Sequence, residues 1–172
     1  MFATFRRTLS CLLLVGAMLA AAPASTKAQS ARNVAYLELG GNGLLYTLNY
    51  ERNFSPSVSG RLGLMQFSVS SASSSGSGSA SLSLVPLMVN YFVGSSHRLE
   101  LGAGPLIMRA SAEASAGSFE ASESGVGFGG TATIGYRYQQ LDGGFMFRLG
   151  LTPVFSSSGF SPWAGLSLGY AF

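Results

Sequence analysis

The sequence contains few of the residues on which enzymes and metal sites depend. Its 172 residues include one cysteine, Cys11, and one histidine, His97, and its single aspartate is Asp142. No cluster of cysteine, histidine and carboxylate residues suggests a metal site. An activated serine needs a positioned base, and His97 is better explained as part of a polar turn with Ser95 and Ser96. We therefore expect no catalytic activity, no bound metal and no cofactor.

A glycine-rich stretch at 125–130 has the spacing of a dinucleotide-binding loop. In that motif the glycines follow a strand and open a helix, whose N-terminus binds the phosphates. Here a predicted loop precedes the glycines and a predicted strand follows them. We interpret them as loop and strand-entry residues rather than as a cofactor site.

Long apolar runs are also lacking, apart from a short one at residues 11–20. That run follows Arg6 and Arg7 and precedes small residues typical of cleavage sites, so it predicts a secretory signal peptide over 1–28. We favour cleavage after Ala28, with a cut after Ala24 as the alternative. Because Cys11 does not lie at the cleavage site, no lipid anchor is expected. The remaining chain, 29–172, is predicted to be one domain.

The predicted mature chain, 29–172, carries no surplus of positive charge. It contains seven arginines against six glutamates and one aspartate, because Arg6, Arg7 and Lys27 belong to the predicted signal peptide. Electrostatic binding of nucleic acid needs an excess of lysine and arginine gathered on one face. We therefore expect no nucleic-acid partner.

What the sequence does have is apolar character without an apolar helix. The chain is 47% hydrophobic and 10% charged, yet beyond the signal no stretch approaches the ~18 apolar residues that a membrane-spanning helix needs. Apolar residues instead occupy alternate positions. In lipid, only helices and closed barrels satisfy every backbone hydrogen bond, so this alternation predicts a transmembrane β-barrel.

Eight segments have about the length of a tilted membrane strand, ~9–11 residues. They are Asn33–Gly40, Leu44–Phe54, Arg61–Ser70, Leu82–Val93, Arg98–Arg109, Gly129–Gln139, 145–152 and Pro162–Phe172. In the third segment the apolar residues change parity, which predicts a β-bulge near Met65 and Gln66. The sequence therefore predicts an all-β fold, an eight-stranded antiparallel up-and-down transmembrane β-barrel following a cleaved signal peptide.

The connections between these segments alternate in length, as expected for short periplasmic turns and longer outer loops. The predicted outer connections are a tight turn at Gly41 and loops over Ser71–Ser81, Ala110–Val126 and Ser156–Ser161. Residues 71–79 are almost entirely serine and glycine, so we expect that loop to be mobile and without packed structure.

The alternating strand Leu44–Arg52, the strand around Leu99–Gly104 and the terminal Tyr170-Ala171-Phe172 resemble small outer-membrane β-barrels of Gram-negative bacteria. That group includes outer-membrane protein X and the membrane domain of outer-membrane protein A. The resemblance implies a location in the bacterial outer membrane and contact with its lipid. It also implies that Tyr170 and Phe172 form the signal read by the barrel-assembly machinery during insertion.

The interior face of the predicted barrel carries three acids and three arginines. They are Glu38, Glu51, Arg61, Glu100, Arg137 and Arg148. An eight-stranded barrel is just wide enough for side chains to fill it, and buried charges persist only when paired. We therefore expect one connected plug.

Hairpin geometry suggests which of these charges meet. We expect Glu51 to pair with Arg61 across the second hairpin, and Glu38 and Glu100 to separate Arg137 from Arg148. Asn49 and Asn90 are expected to satisfy the remaining hydrogen-bonding groups.

The function indicated is that of a structural or interaction barrel with a salt-bridged lumen, exposed loops and an extracellular partner that the sequence does not identify. The alternative is a narrow channel for ions or small molecules. A soluble lipocalin-like binding protein would also have eight strands, but it would place its larger apolar residues inside, opposite to the parity observed here.

Overall fold

A computed structural model describes residues 31–73, 76–116, 119–157 and 159–172, so the predicted signal peptide lies outside the described residues. Within these ranges ten strands form one antiparallel sheet. They are β1 Asn33–Gly40, β2 Tyr46–Ser55, β3 Val58–Ser73, β4 Gly76–Gly94, β5 His97–Ala116, β6 Phe119–Gln139, β7 Gly144–Leu151, β8 Val154–Ser156, β9 Gly159–Ser161 and β10 Ala164–Ala171.

The sheet closes into a barrel. Strands β1 to β7 pair in chain order, and β10 pairs with both β7 and β1. Val34 of β1 lies opposite Ala171 of β10, which joins the two ends of the chain. This confirms the predicted ring of eight antiparallel strands with the first paired to the last. Strands β8 and β9 form an additional short hairpin on the rim, where β8 pairs with β6.

Alternation along each strand separates an outer face from an interior face. Six apolar residues on the outward-facing parity of the alternating strands are 39–53% exposed: Leu37, Leu48, Leu101, Ile134, Leu149 and Leu168. Their neighbours with opposite parity, among them Glu38, Glu100 and Arg148, are buried inside. A register slip of one residue would exchange the two sets, so the pattern specifies the register strongly. No helix in the described ranges is long and apolar enough to cross a membrane.

Four strands continue well past the closed barrel. β2 pairs with β3 only as far as Leu64, and β7 pairs with β6 only as far as Ile134. The four strands β3 to β6 nevertheless stay paired with one another to their ends. We call their protruding part, residues 65–73, 76–84, 108–116 and 119–127, the extension.

Two of the predicted loops are strands that belong to the extension. Ser71–Ser81 and Ala110–Val126 are strand wherever they are described, with residues 74–75 and 117–118 outside the described ranges. The predicted loop Ser156–Ser161 likewise contains the ends of a paired hairpin. Composition alone favoured a mobile loop, but strand pairing uses backbone groups, which serine, glycine and alanine supply as well as larger residues do.

The predicted bulge near Met65 and Gln66 is also wrong. The register between β3 and β4 is the same from the pair Val58 and Tyr91 to the pair Ser73 and Gly76. The apolar residues change parity at this point because the surroundings of the strand change, while its pairing does not. Apolar side chains face outward in the barrel and inward in the extension.

This change of parity defines the upper edge of the apolar outer band. On the outer face of β6, Phe128 is 73% exposed and belongs to the apolar band. Ser124, four residues away on the same face, belongs to a polar surface. Below this edge, the buried residues Met65, Leu84, Leu106 and Val154 close the outer end of the lumen. The opposite end is closed by a second apolar cluster of Ala31, Val34, Tyr36, Met146 and Ala171.

The position of this edge can be tested with two arginine substitutions on the same face of β6. Ile134→Arg places a charge in the apolar band and should lower the free energy of unfolding in lipid by about 2–4 kcal/mol. Ser124→Arg should change it by less than about 0.5 kcal/mol, because that side chain faces water. Urea titration of the two variants in phosphatidylcholine vesicles measures both values. Equal destabilisation would show that the band extends over the extension.

Candidate functional site

The interior of the barrel carries the largest concentration of charge among the described residues. Six strands each contribute one of the charged side chains expected there, and all are at most 3% exposed: Glu38 from β1, Glu51 from β2, Arg61 from β3, Glu100 from β5, Arg137 from β6 and Arg148 from β7. The two remaining strands of the ring contribute Asn90 and Ser167, which are also buried. Every strand of the closed barrel therefore places a polar group in the lumen.

Five ion pairs join the six charged residues into one chain. Arg61 Nη1 lies 3.9 Å from Glu38 Oε2, and Glu38 Oε1 also contacts Arg148 Nη2. Arg148 Nη1 lies 2.9 Å from Glu100 Oε1. Arg137 Nη1 then lies 3.4 Å from Glu100 Oε2 and 2.8 Å from Glu51 Oε1. Because three positive charges alternate with three negative charges, the chain is neutral.

The two neighbouring arginines share one carboxylate. Arg137 and Arg148 are directly opposite in the register of β6 and β7, where two like charges would repel each other. The two oxygens of Glu100 accept a hydrogen bond from each of them. The guanidinium of Arg137 also lies 4.9 Å from the centre of the Phe92 ring, and that of Arg148 lies 5.4 Å from the Tyr36 ring, both within range of a cation–π interaction.

The expected direct pair between Glu51 and Arg61 does not form among the described residues, although the two are opposite in the register. Tyr36 connects them instead. Arg61 Nη1 donates a hydrogen bond to Tyr36 Oη at 3.2 Å, and Tyr36 Oη donates to Glu51 Oε2 at 3.3 Å. Tyr36 has the same interior parity as Glu38, but sequence reasoning did not assign it to the network.

The first outer turn enters the lumen instead of lying outside it. Residues Gly41–Gly43 form a short 3-10 turn, and Asn42 is completely buried. Gly41 has φ +72°, and a side chain at this position would collide with the Glu38 carboxylate. Glycine therefore allows the chain to turn inward close to that acid.

Asn42 connects Arg61 to the far side of the barrel. Its Nδ2 donates to Thr131 Oγ1 at 2.5 Å and to the Ala132 carbonyl at 3.0 Å. Its Oδ1 accepts hydrogen bonds from Arg61 Nη2 and from Thr133 Oγ1. Sequence reasoning missed this residue because a glycine-rich turn between two strands is normally exposed.

The two asparagines expected to complete the network differ in their roles. Asn90 Nδ2 donates to Glu51 Oε2 at 3.4 Å, whereas Asn49 Nδ2 donates to the Thr47 carbonyl and stays outside the network. Ser167 was missed, although its hydroxyl accepts a hydrogen bond from Arg148 Nε at 3.3 Å. Arg98 was also missed. It is 4% exposed and hydrogen-bonds the Ser95 carbonyl at the end of the lumen.

Chemically, this interior is a filled and charge-compensated core. The carboxylates and guanidinium groups of the six network residues are engaged with one another, and apolar clusters lie at both ends. In the part of the chain that the structure describes, no three His, Cys, Asp or Glu residues lie close enough to hold a metal ion. His97 lies on the outside of the barrel, where its Nδ1 is 2.5 Å from Tyr136 Oη.

The proposed assembly signal lies on the outer surface at the seam of the barrel. Tyr170 is 57% exposed and Phe172 is 41% exposed. The Phe172 amide donates to the Asn33 carbonyl at 2.8 Å, and the Asn33 amide donates to the Phe172 carbonyl at 2.9 Å. The backbone of the terminal residue is therefore paired with β1, while both aromatic rings are free to contact lipid or a protein.

No family model matches the sequence, and no curated protein matches it. Solved structures do match the fold. The N-terminal β-barrel domain of Pseudomonas aeruginosa OprF is 17% identical, with a TM-score of 0.60, and the match covers 84% of this chain and 100% of that domain. Ail, the attachment invasion locus protein of Yersinia pestis, crystallised with the heparin analogue sucrose octasulfate, is 16% identical with a TM-score of 0.54. That match covers 83% of this chain and 97% of Ail.

These likenesses show the fold, that of the small outer-membrane β-barrels to which OprF and Ail belong. They agree with the resemblance drawn from the alternating strands. At such low identity they do not transfer the activity of either protein to this chain.

The contribution of the ion-pair network to the stability of the barrel can be measured by substituting Glu100. Glu100→Gln removes the charge that separates Arg137 from Arg148, so unfolding should become easier by about 3–5 kcal/mol, less where water enters the lumen. Glu113→Gln is the matched control, because it removes an exposed glutamate from the same strand. Urea unfolding in detergent micelles compares the two. If Glu100→Gln is as stable as Glu113→Gln, the ion pairs do not hold the barrel together.

Proposed function

We propose that the chain is a Gram-negative outer-membrane protein in which the barrel is a closed anchor and the extension is the part that acts. The observation that carries this proposal is the continuous network of five ion pairs, which occupies the lumen between two apolar clusters. A solute would have to separate buried ion pairs and cross two apolar layers. The cost of separating even one such pair is several kcal/mol.

The extension is available to partners outside the cell if the N-terminus is periplasmic. It has four paired strands and a polar outer face, and it stands above the apolar band. The name of Ail, an attachment invasion locus protein, and its crystallised complex with a heparin analogue support an interaction role for this chain. The charge of the extension differs from what a sulfated ligand needs, however. Its described residues include one arginine, Arg109, against Glu113, Glu120 and Glu123. We therefore infer a partner other than a polyanion.

The alternative function is a narrow channel for ions or small molecules. The feature that favours it is the long contact between Arg61 and Glu38, in which Nη1 and Oε2 are 3.9 Å apart. Rearrangement of such a pair could connect polar groups along the lumen.

Current across planar lipid bilayers distinguishes the two functions. We expect the purified barrel to give no sustained current steps, because its lumen is filled. A general porin serves as the positive control. Sustained openings would contradict the closed anchor and favour the channel. In that case Arg61→Gln should alter the conductance, and Arg109→Gln on the outer face of the extension should not.

Assembly provides a separate test, at the terminal aromatic residue. Deletion of Phe172 should lower the amount of protein in the outer-membrane fraction more than it lowers export to the periplasm, because an exposed aromatic end is expected to be read by the barrel-assembly machinery. Phe172→Tyr keeps the aromatic ring and should insert normally. Quantitative immunoblotting of cell fractions measures both steps. Normal insertion of the truncated chain would show that Phe172 is not part of the assembly signal.

A further inference from the structure

A row of small side chains crosses the lipid-facing surface of the barrel. Because neighbouring strands are in register, residues opposite one another form rows that run obliquely around the outer face. One row starts at Arg52, near the end of the barrel where β1 begins and β10 ends. It continues over the next three strands through Gly60 on β3, Val89 on β4 and Ala103 on β5. Two of these three residues have no side chain larger than a methyl group.

Larger side chains border this row on both sides. The neighbouring row nearer to the extension contains Leu62 and Leu87, which are opposite each other on β3 and β4. The neighbouring row on the other side contains Tyr91 and Leu101, which are opposite each other on β4 and β5. The small residues therefore form the floor of a groove, which encloses about 430 Å³ and reaches as far as Pro105. We call it the lateral groove.

Two aromatic rings stand at the end of the lateral groove where Arg52 lies. The Phe54 ring lies over Gly60, where a Cβ atom would come within 2.8 Å of Phe54 Cζ, so glycine leaves room for the ring. Tyr50 also lines the groove, and its hydroxyl donates a hydrogen bond to Asn33 Oδ1 at 2.8 Å. Aromatic residues in barrels of this kind mark the level of the lipid head groups.

Arg52 is a cation without a partner at this level. It is exposed on the lipid-facing side, and among the described residues its side chain forms neither an ion pair nor a hydrogen bond. Three luminal arginines, in contrast, all have carboxylate partners: Arg61, Arg137 and Arg148. Glu51, which precedes Arg52 in the chain, points into the lumen and pairs with Arg137. An anion that neutralises Arg52 therefore has to come from outside the described chain.

We propose that the lateral groove binds one anionic phospholipid, with its phosphate on Arg52 and one acyl chain along Gly60, Val89 and Ala103. The planar guanidinium group can donate two parallel hydrogen bonds to phosphate oxygens. The floor and walls beyond Arg52 are apolar, as an acyl chain requires, and the cation lies at the head-group end. Charge and apolar surface are therefore arranged in the same order as in a phospholipid.

The length of the groove fits a single leaflet. Its floor crosses from β2 to β5, three inter-strand distances of about 4.8 Å, or about 14 Å in all. Strands in such barrels tilt by about 40°, so a row of this length rises by about 9 Å along the membrane normal. Half of a hydrocarbon core of about 30 Å is about 15 Å. A chain that starts at Arg52 can therefore follow the groove without leaving its own leaflet.

Net charge selects among phospholipids. A zwitterionic head group carries its own cation close to the phosphate, and that cation would be repelled by Arg52. Phosphatidylglycerol carries only the phosphate charge, so it should bind more tightly. The leaflet would be the periplasmic one in the orientation proposed above, with the extension outside the cell. Whether the lumen conducts has no bearing on the groove, which lies on the opposite face of the strands.

The experiment uses the full mature barrel in dodecyl maltoside micelles. Phosphatidylglycerol is the probe, and phosphatidylcholine with the same acyl chains is the comparison. Each lipid is titrated, and native mass spectrometry counts the lipid molecules that stay on the protein, which gives an apparent Kd. Heat-dependent mobility on a denaturing gel verifies that every variant is a closed barrel.

We expect the wild-type barrel to retain one phosphatidylglycerol about tenfold more tightly than phosphatidylcholine, and Arg52→Gln to lose this preference. Arg32→Gln should keep it, because Arg32 is exposed at the same end of the barrel but does not line the groove. Ala103→Leu fills the groove and should weaken binding of both lipids by about tenfold. Ala164→Leu makes the same change on β10, outside the groove, and should leave binding unchanged.

Equal retention of the two lipids by the wild-type barrel would overturn the proposal. Equal loss of the preference in Arg52→Gln and Arg32→Gln would also overturn it, since that result indicates non-specific attraction to positive charge. If Ala103→Leu binds as well as Ala164→Leu, no acyl chain lies in the groove. A wild-type dimer that disappears in Ala103→Leu would assign the groove to a second copy instead. Current steps in planar bilayers would contradict the closed anchor and leave each of these results unaffected.

Discussion

Neutralisation of buried charge is the constraint on which this barrel depends. Its network holds three carboxylates and three guanidinium groups, and each would be costly to bury alone. The Glu100 carboxylate occupies the key position, because it binds Arg137 and Arg148 together. These groups come from different strands, so they meet only when the strands are in the observed register. The ion pairs therefore specify the pairing of the sheet as well as filling its interior.

The strands β3 to β6 pass from an apolar environment around the barrel to a polar environment around the extension. Within the barrel, β3 to β6 present leucine, valine and tyrosine outward, and above it they present serine. The backbone pairing continues without a shift through this change. A strand can therefore leave the membrane without interruption, provided that the alternation of side chains reverses at the boundary. The apolar residues on the inner face, such as Phe67 and Val69, then form an exposed surface of the extension.

Much of the fold could be predicted from the sequence because alternation is a local signal. The strand Asn33–Gly40 has the predicted bounds, and the closure of β1 on β10 follows from an even number of strands in lipid. The extension could not be predicted, because the pairing of a serine-rich strand depends on neighbours distant in sequence. Parity identified the six luminal charges, and hairpin geometry placed Glu100 between Arg137 and Arg148, but the link between Glu51 and Arg61 was not predicted correctly. The bridging role of Tyr36 and the inward turn at Asn42 depend on distances across the lumen.

The contact between Arg148 and Glu38 has a consequence for the order of folding. It joins residues 110 positions apart in the chain and spans the seam where β10 meets β1. Until that seam closes, Arg148 retains Glu100, but Glu38 has only its longer contact with Arg61. An open intermediate in lipid would therefore hold an incompletely compensated acid, which raises its free energy. Closure should consequently be abrupt, with few long-lived half-formed rings, and reopening at the seam should be slow.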